Sequence, residues 1–169
     1  MSRDFPEWVQ PEKAAAARRE FAGTVLLKRL ERLSGMIADP GEAEIAFEVH
    51  FAHDDQRQVR VEVRVKGPVP LICQRTLKRF HHALDSRSVV GIVSSERDAE
   101  ALPDDYEPML VTDSRVELIT LVEEEMLLAL PLVPVDPEST RLGNDDSSGA
   151  DTYRPFAGLA DLKKERDQD

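Results

Sequence analysis

Between Glu44 and Val65 the chain alternates apolar and polar side chains with a period of two, and that pattern admits few folds. Ile45, Phe47, Val49 and Phe51 alternate with Glu44, Ala46, Glu48 and His50. Val59, Val61, Val63 and Val65 alternate with Gln58, Arg60, Glu62 and Arg64. Successive side chains of an extended chain point to opposite faces, so each run is a strand with one face on a core and one in water. The polar connector His53-Asp54-Asp55-Gln56 predicts an antiparallel hairpin. Glu48 and Arg60 fall on the polar faces, where charges can pair across strands.

The remaining pattern supplies a cover for that sheet. From Leu118 to Leu130, Ile119, Val122, Met126, Ala129 and Leu130 share a helical face, which Leu118, Leu121 and Leu128 widen. An arc this broad implies burial against a sheet. Glu123, Glu124 and Glu125 are expected on its water side, and Pro131 and Pro134 end the helix with Leu132–Val135 extended. Two shorter helices are predicted, Lys13–Arg19 after Pro11 and Leu26–Leu33 before Gly35. Gly67-Pro68 is expected to break the second strand, leaving Val69–Cys73 as a separate short one. Ser88–Val93 reads as a strand, residues 94–108 as a long loop and Met109–Thr112 as a brief strand. The expected fold is α+β: an antiparallel sheet or partly open barrel packed by a few helices, in a single domain over residues 1–135.

Composition breaks sharply after that point. Fourteen of the 17 residues from Asp136 to Thr152 are Asp, Glu, Ser, Thr, Gly, Asn or Pro. Such a stretch offers too little apolar burial to offset ordering, so 136–152 is expected to be a disordered acidic linker. In the tail, 153–169, Phe156, Leu159 and Leu162 recur at helical spacing and suggest a short docking helix on a tether. No apolar run approaches the ~20 residues a membrane helix needs. The segment Met1–Gln10 lacks the apolar run of a secretory signal. A cytoplasmic protein without membrane contact is expected.

The chain carries little recognisable catalytic chemistry. No phosphate-cradling glycine loop and no nucleophile elbow occurs in the sequence. Cys73 is the single cysteine, and His50, His53, His81 and His82 lack the spacing of a ligand set, so neither metal nor cofactor is expected. Charge is the stronger signal. The net charge is −11, which argues against a simple nucleic-acid coat. Yet Arg75, Lys78, Arg79 and Arg87 face only Asp85 between residues 73 and 93, with His81 and His82 among them. These six residues are the candidates for phosphate contact. The next stretch, 94–113, is acidic. Asp104, Asp105 and Glu107, with Glu123–Glu125 and the tail's Phe156, Leu159 and Leu162, are the candidates for a protein partner.

Four segments together carry a resemblance. Cys73-Gln-Arg-Thr76, Ala101-Leu-Pro-Asp-Asp-Tyr-Glu-Pro108, Leu121–Pro134 with its trailing Leu-Ala-Leu-Pro-Leu-Val-Pro, and Pro155-Phe-Ala-Gly-Leu-Ala-Asp-Leu162 resemble the YceD family of bacterial and plastid proteins. The likeness spans about residues 15–164. It implies a ribosome biogenesis factor needed for accumulation of large-subunit (23S) ribosomal RNA, acting without catalysis on the precursor RNA or pre-large-subunit particle. Genes of the family commonly neighbour that of a small ribosomal protein of the large subunit. The alternative is therefore an adaptor that holds a basic ribosomal protein on its acidic surface. Many members carry Cys-x-x-Cys where this chain has Cys73 and Thr76, so a metal or redox role for that pair is not expected here.

Overall fold

The hairpin read from the alternation forms the middle of the sheet. In the computed structural model, which describes residues 5–139, the elements in chain order are β1 (Trp8–Val9), α1 (Pro11–Ala16), β2 (Glu20–Leu26), β3 (Glu44–His53), β4 (Val59–Ile72), β5 (Arg79–Val93), α2 (Glu96–Glu100), β6 (Glu107–Leu110), β7 (Val116–Glu117) and α3 (Leu118–Ala129). The main sheet has the order β2-β3-β4-β5-β6 and is antiparallel except for the parallel pair β5–β6. β1 and β7 form a separate antiparallel pair. The architecture is α+β, with an open sheet and few helices. No helix among the described residues is long and apolar enough to cross a membrane. The expected linker from residue 140 onward, and the tail with Phe156, Leu159 and Leu162, lie outside the described residues.

One sheet face carries the core. Ile45, Phe47, Val49 and Phe51 of β3 and the four alternating valines of β4 are all buried. α3 lies across β4 and β5 and buries Leu118, Leu121, Val122 and Met126 on them. Phe21 and Phe51 meet edge to face with centroids 5.9 Å apart, which ties β2 to β3. At the hairpin end, Asp54 Oδ1 accepts the backbone N–H groups of Gln56 and Gln58 at 2.9 and 2.8 Å. That side-chain turn lets Arg57 hold φ +65°.

Several local expectations are corrected. Residues 26–33 are not an α-helix: Leu26 ends β2, and two 3₁₀ turns follow, Leu27–Arg29 and Glu31–Leu33. Leu27, Leu30 and Leu33 are spaced by three, which is the 3₁₀ period, and all three are buried. β4 is not broken at Gly67-Pro68, and Val69–Ile72 belongs to it, paired with β5 without interruption as far as Ile72–Arg79. Pro70 C=O accepts from Ala38 N–H at 2.8 Å, away from β5. The nitrogens of Pro68 and Pro70 therefore face the side that β3 has already left after Lys66, and the prolines cost no β4–β5 bond. Gly67 fits the same crossing point. Its φ is +156°, and a Cβ there would stand 2.9 Å from Ile45 Cδ1 and 3.2 Å from the Glu44 carbonyl.

The remaining corrections concern β5 and beyond. β5 begins at Arg79 rather than Ser88. The expected loop 94–108 contains α2, capped by Ser95, whose hydroxyl oxygen accepts Asp98 N–H at 3.2 Å, and the start of β6. β6 itself covers Glu107–Leu110 rather than Met109–Thr112. The register sets Glu48 opposite Arg64 and Arg60 opposite Ala52, so the pair Glu48–Arg60 does not form.

Candidate functional site

The basic cluster divides into three environments. Between β4 and β5 lies a tight turn, residues 73–78, in which Cys73 N–H donates to Lys78 C=O (2.9 Å) and Leu77 N–H to Cys73 C=O (2.8 Å), with Leu77 at φ +57°. The extended segment after α3 straps this turn down: Gln74 N–H donates to Pro134 C=O at 2.8 Å and Asp136 N–H reaches Cys73 Sγ at 3.4 Å. Cys73 is fully buried beneath the strap. Its thiol is held down from 9.0 to about 6, first by the Thr76 hydroxyl and then by the Asp136 N–H, with further backbone donors at Thr76 and Arg75.

Arg75 is spent on this strap. Its Nε donates to Ser139 Oγ at 2.9 Å, and its Nη2 donates to the carbonyls of Asp136 (3.2 Å) and Ser139. Arg87 is spent elsewhere. It lies eight residues beyond Arg79, about 26 Å along the strand at ~3.3 Å per residue, and pairs with Glu62, which also holds Arg60 at 3.3 Å. Nearby, Asp85 receives Arg64 (3.1 Å) and Lys66 (3.0 Å), and these cations, Lys66 first, hold its carboxyl below the usual range. The middle of the outer sheet face therefore carries mutually neutralising pairs. His82 is half-buried on the inner face, on the opposite side of β5 from His81. Lys78, Arg79 and His81 remain exposed and contiguous at one end of the sheet. They are the exposed members of the expected basic surface that have no ion pair among the described residues.

The acidic candidates divide as well. Glu123 and Glu125 are buried, not on the water side of α3 as expected. Three consecutive helical residues span more than half a turn, and the buried arc of α3 is wide enough to take in two of them. Glu123 accepts Arg32 N–H at 3.3 Å, and Glu125 accepts the Ser88 hydroxyl. Glu124 pairs with the Arg32 guanidinium at 2.5 Å. Asp104 and Asp105 are exposed between α2 and β6, and Glu107 is half-buried on β6. Burial, then the charges of Glu125 and Glu124, push the Glu107 carboxyl upward. Among the described residues no group of three or more His, Cys, Asp or Glu side chains converges as metal ligands.

Comparison with known proteins gives a match to the family described as large ribosomal RNA subunit accumulation protein YceD, over residues 61–163. A Haemophilus influenzae protein named large ribosomal RNA subunit accumulation protein YceD is 31% identical over 170 residues, covering 95% of this chain and 97% of that one. No solved structure matches the chain.

Proposed function

The chain belongs to the YceD family, and from that membership we propose that it is a ribosome biogenesis factor, needed for stable accumulation of large-subunit (23S) ribosomal RNA and acting without catalysis in the cytoplasm. The observation that carries this reading is the end-to-end match to the Haemophilus influenzae protein, which includes α3, the strap and the Cys73 turn. Its partner is the precursor RNA or the pre-large-subunit particle. Contact with phosphate runs through Lys78, Arg79 and His81, because Arg75 is committed to the strap and Arg87 to its ion pair with Glu62. With a net charge of −11, that contact is modest in affinity and steeply salt-dependent.

The test is made in cells depleted of the chain. Large-subunit RNA should fall relative to small-subunit RNA, and the restored protein should comigrate with large-subunit precursors on a gradient. An unchanged RNA ratio with the protein confined to the top of the gradient overturns the reading.

A further inference from the structure

We propose that the groove between β6 and α3 docks an extended segment of another protein, one that combines Lys or Arg with large apolar side chains. The inference stands on this groove and not on the ribosomal reading. The groove is a cavity of about 760 Å³. Its walls hold Trp8, Leu110 and Leu128, which are 49%, 52% and 62% exposed although they are large and apolar. Thr120, Glu124 and Leu128 recur every four residues and line one side as a single face of α3.

The other side is a strand edge. Among the described residues β6 pairs only with β5, and Val111 N–H donates to Val93 C=O at 2.8 Å. By alternation, Pro108 and Leu110 turn their backbone groups away from β5, where no backbone partner exists among the described residues. A sixth strand can pair there. Pro108 offers no N–H, so the added strand finds a carbonyl but no donor at that position, which fixes its register.

Charge selects the occupant. Glu107, Asp113, Glu117 and Glu124 line the groove against Arg115 alone. Glu107, Asp113 and Glu117 have no ion-pair partner among the described residues. A cationic side chain gains these carboxylates without breaking an existing pair, and it relieves the crowding of Glu107 by Glu124 and Glu125. Phosphate meets the same carboxylates as repulsion, so the occupant is a basic peptide and not a nucleic acid.

Trp8 is the only tryptophan and lies in the groove wall, so its emission reports occupancy directly. The full chain is titrated with a short synthetic peptide alternating Lys and Val, and in parallel with Glu/Val and Lys/Gly peptides. A saturable blue shift with Lys/Val alone is expected, with Kd weakened about tenfold or more by Glu117→Lys and by Leu110→Asp, each about 1.4 kcal/mol. Leu128→Lys, on the most exposed of the three apolar walls, replaces Leu110→Asp if the latter melts early. No shift with Lys/Val, equal shifts with Glu/Val or Lys/Gly, or unchanged Kd in variants that melt like the parent overturns the proposal. A shift with single-stranded RNA that these variants abolish overturns it in favour of nucleic acid. Failure here leaves the RNA ratio of depleted cells untouched, and failure there leaves the peptide titration untouched.

Discussion

The Arg75 guanidinium and the Ser139 hydroxyl, 64 positions apart, meet at 2.9 Å and close the strap over the Cys73 turn. One of the six side chains expected to contact phosphate is the one that fixes the chain after α3. Arg75→Ala should therefore cost stability, about 2 kcal/mol as the loss of a charged donor shared by several acceptors. Urea unfolding measures it. A loss near zero would mean that the strap closes without Arg75.

The exposed cations behave differently. Lys78→Glu with Arg79→Glu should leave the melting temperature nearly unchanged, each within about 0.5 kcal/mol. The double variant should lose binding to large-subunit precursor RNA and flatten its salt dependence. Binding at several salt concentrations, with thermal melts as control, decides this. Retained binding in a well-folded double variant moves the RNA contact off this end of the sheet.

Cys73 combines a lowered thiol with full burial. Between pH 9 and pH 6 the unfolded chain holds a proton on sulfur that the folded chain has released. The thiolate's contribution to stability is therefore complete above pH 9 and is lost as pH falls towards 6. Ultraviolet thiolate absorbance should titrate with a midpoint near 6, and Cys73→Ser should flatten the stability–pH curve over this window. Alkylation of the native protein should nonetheless be slow, because the sulfur is covered. A midpoint near the ordinary thiol value would refute the donor arrangement around Cys73.

Glu107 carries the opposite sign. Its carboxyl is raised by burial and then by Glu125 and Glu124. The folded state keeps its proton through a window in which the unfolded chain, with an ordinary carboxyl near ~4.3, has lost it. Stability from this group falls as pH rises through that window. Glu107→Gln should raise the melting temperature at neutral pH, and the gain should vanish at lower pH. A pH-independent gain would show that crowding of charge is not the cause.

Leu33 tests the 3₁₀ segment. It is wholly buried, and Leu33→Ala should cost about 3 kcal/mol in chemical denaturation. A cost below about 1 kcal/mol would mean that the segment detaches without loss to the core.

Which of these features the sequence discloses follows from where their partners lie. β3, the first half of β4 and α3 are legible because every second or every third-to-fourth residue is apolar and buried within its own element. The start of β5 is hidden because His82, Ser86 and Ser88 occupy inward positions, and Ser88 uses its hydroxyl on Glu125. β2 is hidden by Gly23, which leaves only Phe21 and Val25 to mark the face. The leucines of 27–33 satisfy a three-residue spacing that fits an α-helix and a 3₁₀ turn alike. At the site, the cluster Lys78–Arg79–His81 is legible from composition. The fates of Arg75, Arg87, Glu123 and Glu125 depend on Ser139, Glu62, Arg32 and Ser88, which no local window contains.

Beyond Lys66 the side of β4 that faced β3 has no strand partner among the described residues, yet it runs beside the longest of their ladders. Any chain with a free strand could add to it. Pro68 and Pro70 remove the donors on that side, and Ala38 takes the Pro70 carbonyl, so the flank offers a visiting strand almost nothing to hold. The prolines thereby guard the sheet against self-association.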